Sequence, residues 1–151
     1  MIRVLVSAEP IDLAAELASA EAGGAGAVAT FTGLVRSDAG VELLELEHYP
    51  GATEAALEAL AIEASARWQL LAATVVHRVG PMRPGERIVF VATAAPHRAA
   101  ALAACAFLID RLKTGAPFWK RETRGGVPRW VEARDADDVA AALWDEPTPA
   151  S

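Results

Sequence analysis

Short β-branched runs and alanine-rich helical runs follow one another along this chain in an irregular order, which constrains the fold more than any single motif does. A doubly wound sheet needs regular strand–helix alternation, so the pattern predicts an α+β domain. Residues 2–6, 27–35 and 43–49 read as strands, the last with Leu44 and Leu46 on one face and Glu45 and Glu47 on the other. Pro10 and Asp12 open a helix running through Ala22, and Gly23-Gly24 stops it. Thr53 is placed as the cap of a second helix, whose Leu57, Leu60, Ala61, Ala64 and Trp68 form one apolar face.

Residues 74–79 and 87–94 are further strands, joined by a Gly- and Pro-rich segment of hairpin character at 80–86. The longest helix spans 99–114, carries Leu102, Ala106, Ile109 and Lys113 on neighbouring turns, and ends at Gly115 and Pro117. Strands at 118–121 and 129–131 flank Gly125-Gly126, and Asp135 caps a last short helix.

Of 151 residues 53% are apolar, but alanine supplies 35 of those 80 side chains. The 45 larger ones suffice for one core, so residues 1–144 are expected to form a single domain with a disordered tail at 145–151. No uncharged stretch approaches the roughly 20 residues that span a bilayer, and no basic-then-apolar leader opens the chain. A cytoplasmic protein without membrane association is expected. The lone Cys105 excludes an internal disulfide and reads as an inert buried thiol. No Cys or His cluster has zinc spacing, so neither a metal nor a resident cofactor is expected.

The net charge of −6 describes no part of the chain: residues 1–66 carry −9, residues 67–134 carry +8, and residues 135–151 carry −5. Arg98, Arg111, Lys113, Lys120, Arg121, Arg124, Arg129 and Arg134 crowd into 37 residues. Such a concentration gathers anionic ligands, although solvated arginines paired with nearby acids would look the same. Nucleic acid is disfavoured by the overall charge and by the lack of a binding motif.

Arginine outnumbers lysine 12 to 2, and the two lysines, Lys113 and Lys120, lie seven residues apart across a helix end and the next strand. An ammonium can act as a point charge, or lose its proton and act as base or nucleophile, which guanidinium cannot. His97 and Arg98 fall where a strand hands over to a helix N-terminus, a place that favours anions. His77 and His48 read as structural, and Gly23-Gly24-Ala25-Gly26 as a helix stop. Residue chemistry alone therefore ends at an anion site with one or two special lysines. A non-catalytic anion-binding module and an unrelated phosphate-ester enzyme remain open, the second weakened by the missing metal-ligand cluster.

Several segments in their order carry a family resemblance: Phe31-Thr32-Gly33-x-Val35-Arg36, Leu46-Glu47-His48-Tyr49-Pro50-Gly51, His77-Arg78-x-Gly80, Pro96-His97-Arg98, Leu112-Lys113-Thr114, Ala116-Pro117-Phe118-Trp119-Lys120-Arg121-Glu122 and Arg129-Trp130-Val131-Glu132-Ala133. Over roughly residues 2–144 the chain resembles the large, catalytic subunits of molybdopterin synthase, the MoaE family. The resemblance implies an α/β-hammerhead with an additional antiparallel sheet. It also implies a homodimer within a heterotetramer completed by a small ubiquitin-like sulfur carrier ending in Gly-Gly. The implied reaction moves sulfur from the carrier's C-terminal thiocarboxylate to cyclic pyranopterin monophosphate, forming the molybdopterin dithiolene.

By the same resemblance Lys113 and Lys120 match catalytic positions, and Arg36, His97, Arg98, Arg121, Glu122 and Arg134 match substrate-pocket positions. Leu34 stands where the family often has lysine, and the loop at 36–41 is short. If residues 99–114 are one helix, the 16 residues from His97 to Lys113 span about 24 Å, far more than a pterin phosphate. His97 and Arg98 are therefore expected to complete the pocket of the other subunit.

Overall fold

Strand β4 (Ala72–Arg78) is buried along its whole length, so everything else is arranged around it. The computed structural model describes residues 1–38, 40–131 and 135–145. In chain order β4 is preceded by β1 (Ile2–Ser7), α1 (Leu13–Glu21), β2 (Ala27–Leu34), β3 (Leu43–His48) and α2 (Ala52–Trp68). It is followed by β5 (Gly80–Met82), β6 (Arg87–Ala95), α3 (Arg98–Gly115), β7 (Phe118–Arg124), β8 (Val127–Val131) and α4 (Asp135–Ala142), then a 3₁₀ turn, Leu143–Asp145.

Two four-stranded sheets result, ordered β1-β4-β6-β2 and β5-β3-β7-β8. In the first, β1 and β4 run parallel and the other pairs antiparallel, while the second is antiparallel throughout. This mixture is the α+β architecture expected from the irregular element order.

Both faces of the first sheet are covered. Helices α2 and α3 bury Leu57, Ala61, Ala64, Phe107, Leu108 and Leu112 against Val75, Val89 and Val91 on one face. On the other, Ile11 and Ala20 pack on Val76, Phe90 and Ala92. Each fully buried Leu or Phe contributes roughly 1.5–3 kcal/mol, so these layers fix where both ends of α3 lie. A smaller cluster of Val35, Leu44, Leu46 and Met82 underlies the second sheet, with Ile88 packed against both it and the main core.

One expectation needs correction. Thr53 is not a cap: Gly51, at φ +88, ends the Pro50 turn and starts α2 two residues earlier, which leaves Thr53 in the first turn pointing inward. Residues 80–86 join the antiparallel pair β4 and β6, in keeping with their hairpin character, and within them Gly80–Met82 forms β5, which pairs with β3 of the second sheet. Of the Leu102–Ala106–Ile109 row of α3, only Ile109 packs against the core. Leu102 is 61% exposed, and the buried row is Ala101, Ala104, Cys105, Phe107, Leu108 and Leu112.

The β7–β8 hairpin is longer than expected, and its Gly125 and Gly126, both at positive φ, make the two-residue turn that matches strand twist. Asp135 is the first residue of helix α4, and the cap position before it lies outside the described residues. Residues 146–151 lie outside the described residues. Among the described residues, no helix is long and apolar enough to cross a membrane.

Candidate active site

The two lysines sit on either side of the junction between α3 and β7. Lys113 occupies the last turn of α3, exposed, where a cation complements the partial negative charge of a helix C-terminus. Lys120 lies in the middle of β7, opposite Leu46 of β3 and Val131 of β8. Side chains alternate along a strand, so Phe118, Lys120 and Glu122 share one face of the second sheet.

Glu122 organises that face. Its carboxylate lies 3.7 Å from Lys120 Nζ and accepts a hydrogen bond from Arg124 at 2.9 Å. It is also close enough to Arg36, in the loop after β2, to favour the guanidinium's charged form. Arg36 itself is held by Asp38 through hydrogen bonds of 3.2 and 3.0 Å, and that pairing is the main reason its pKa is raised. Glu122 thus lies near both Arg36 and Lys120. Ala39, inside the same loop, lies outside the described residues.

Lys113 neighbours a different group. Burial lowers the pKa of the His77 imidazole to about 4, and the nearby Lys113 adds to that effect. His77 stacks on Phe118 with ring centroids 4.0 Å apart and planes at 22°, and its Nδ1 is 2.8 Å from the carbonyl of Arg78. A carbonyl only accepts, so Nδ1 carries the proton. His48, on β3 opposite Phe118, lies 3.6 Å from Glu54.

His97 and Arg98 are placed elsewhere. Helix α3 is continuous for 18 residues, with His97 as its extended N-cap residue and Arg98 first in the helix, both exposed. Lys113 is at the opposite end, about 24 Å away at 1.5 Å per residue. Gly26, read from sequence only as part of a helix stop, holds this N-terminal corner. Its N–H donates to the Ala95 carbonyl at 3.1 Å, and a Cβ there would stand 2.2 Å from the Pro96 carbonyl oxygen. No local pattern signals that contact, since it joins segments seventy residues apart.

Arg121 points to the other face of β7 from Lys120. Glu45 binds it at 2.7 Å, Trp130 lies 5.6 Å from its guanidinium carbon, and the Glu45 hydrogen bond is the chief cause of its raised pKa. Within one chain Arg121 and Lys120 do not share a face. Arg134 lies outside the described residues. Cys105 is buried, and desolvation pushes its thiol up to about 11, so it is a poor nucleophile. Among the described residues no three His, Cys, Asp or Glu side chains gather as a metal site.

Solved proteins of molybdopterin biosynthesis share this α+β fold. A MoaE protein from Burkholderia ambifaria superposes with a TM-score of 0.83 at 48% identity, covering 97% of this chain and 99% of its own. Residues 6–115 match the family described as MoaE protein, and the chain belongs to that family. The molybdopterin synthase catalytic subunit of Cereibacter sphaeroides is 53% identical over 146 residues, spanning 95% of this chain and 100% of that protein. Molybdopterin synthase from Staphylococcus aureus, at 32% identity and a TM-score of 0.77, covers 86% of this chain and 96% of its own.

Proposed function

We propose that this chain is the sulfur-transferring subunit of a molybdopterin synthase, acting as a homodimer whose two sites each draw on both copies. The substrate is cyclic pyranopterin monophosphate, and the sulfur comes from the C-terminal thiocarboxylate of a small ubiquitin-like carrier ending in Gly-Gly. The observation that carries this reading is the pair of lysines flanking the α3–β7 junction, the only lysines of a chain that otherwise uses arginine.

Sulfur must come from outside, because the one thiol, Cys105, is buried and held protonated. In each transfer the thiocarboxylate sulfur bonds to a side-chain carbon of the pterin as that carbon's bond to oxygen breaks, the oxygen leaving as water at one carbon and staying on the ring-opened phosphate at the other. Water then cleaves the acyl–sulfur link, leaving the carrier as a carboxylate. Negative charge develops on the acyl oxygen in that cleavage, and a fixed ammonium from Lys113 or Lys120 stabilises it. Two carriers deliver the two dithiolene sulfurs. Arg36, near Lys120 through Glu122, supplies a charge-assisted donor to the anionic substrate.

His97 and Arg98 supply further phosphate donors to the lysines of the second copy, since α3 holds them a helix length from their own. An open apolar groove of about 390 Å³, lined by Phe31, Leu102, Ala106 and Ile109 beside edge strand β2, supports the dimer. Incubation with thiocarboxylated carrier and cyclic pyranopterin monophosphate should yield the dithiolene product. Carrier binding without product would reduce the chain to a docking module.

A further inference from the structure

We infer that Thr53 and His77 are positioning residues that fix Lys113 relative to Lys120 by clamping the α3–β7 junction from two sides. This rests on the reading that the two lysines carry the chemistry. The junction needs such a clamp, because α3 packs on the first sheet while β7 belongs to the second. Between them run only Ala116 and Pro117. Proline contributes no N–H, and the Ala116 N–H reaches back to Leu112 at 3.4 Å. The local backbone therefore does little to set the angle at which β7 leaves the helix.

Thr53 supplies what the backbone lacks. Its side chain is fully buried, and its hydroxyl donates to the Pro117 carbonyl at 2.8 Å. The same oxygen lies 2.9 Å from the Tyr49 N–H, which can only donate. With that N–H aimed at its lone pair, the single hydroxyl proton is left for Pro117. One side chain thus joins the β3–α2 turn to the junction, across 64 positions of sequence. His77 holds the next residue. Its ring lies flat on Phe118 at 4.0 Å and is kept from turning by the bond to Arg78. Phe118 is two positions before Lys120 on the same face, and His77 is the buried group that senses the Lys113 charge.

The clamp is tested in the full complex with thiocarboxylated carrier, measuring kcat and KM for cyclic pyranopterin monophosphate per folded dimer. Thr53→Val keeps the shape and removes the hydroxyl. We expect kcat to fall about 10- to 100-fold with KM within about twofold, the signature of misplaced groups rather than lost binding. Thr53→Ser should restore kcat. His77→Ala should show the same split and His77→Phe, which keeps the flat ring, should recover most of it; this pair decides if Thr53→Val does not fold. Wild-type kcat in Thr53→Val or His77→Ala overturns the clamp. Lys113→Ala and Lys120→Ala run alongside: if both keep full activity, the underlying reading falls, whereas inactive lysine variants beside fully active clamp variants refute the clamp alone.

Discussion

Replacing Gly26 with alanine tests how the N-terminal corner of α3 is held. The added Cβ would stand 2.2 Å from the Pro96 carbonyl oxygen. An ordinary carbon–oxygen contact is about 3.3 Å, so one segment must retreat by about 1.1 Å. The obstacle is backbone rather than a flexible side chain, and Pro96 leads directly into His97 and Arg98. Overpacking of this kind costs about 1–3 kcal/mol, which lowers a urea midpoint by about 1 M for a typical slope. A displacement near 1 Å in groups that bind substrate lowers turnover by up to about 100-fold. Gly23→Ala is the matched control, because its Cβ would meet nothing within 4 Å. Urea unfolding and product formation should both separate the two variants. If Gly26→Ala unfolds and turns over like wild type, the close approach to Pro96 does not hold this corner.

Other consequences follow from single groups. The His77 pKa of about 4 lies below the 6.5 of an unfolded chain, so the unfolded state takes up the proton first as pH falls. Stability is full above pH 6.5 and declines by about 3 kcal/mol by pH 4, a slope that urea titrations should find flattened in His77→Phe. Lys113→Ala and Lys120→Ala should change stability by no more than about 0.5 kcal/mol yet lower product formation at least about 100-fold. Cys105→Ala should keep sulfur transfer intact, and native Cys105 should react slowly with a maleimide, since its thiol is buried and pushed up to about 11.

What could be read in the sequence was what is local. Pro96 before α3, and Gly115 and Pro117 after it, mark that helix within a residue or two, and its continuity already separates His97 from Lys113. The alternation of Leu44 and Leu46 with glutamates likewise fixes the inner face of β3. The buried face of α3 was harder, because alanines on every side blur the helical period and the larger Leu102 and Ile109 stand outside the most buried row. Thr53 looked like a cap because the Pro50-Gly51 turn before it hides where α2 begins. Its bond to Pro117, the contact of Gly26 with Pro96 and the pairing of β5 with β3 join distant segments, so no window of sequence contains them.

In the proposed dimer each site is shared between two copies. Mixed dimers carrying His97→Ala in one chain and Lys113→Ala in the other leave one site with both groups intact and one with neither. Purified mixed dimers should therefore form dithiolene at about half the wild-type rate, while each parent homodimer is nearly inactive. Mixed dimers as inactive as the parents would place His97 and Lys113 in the same chain's site and contradict the account.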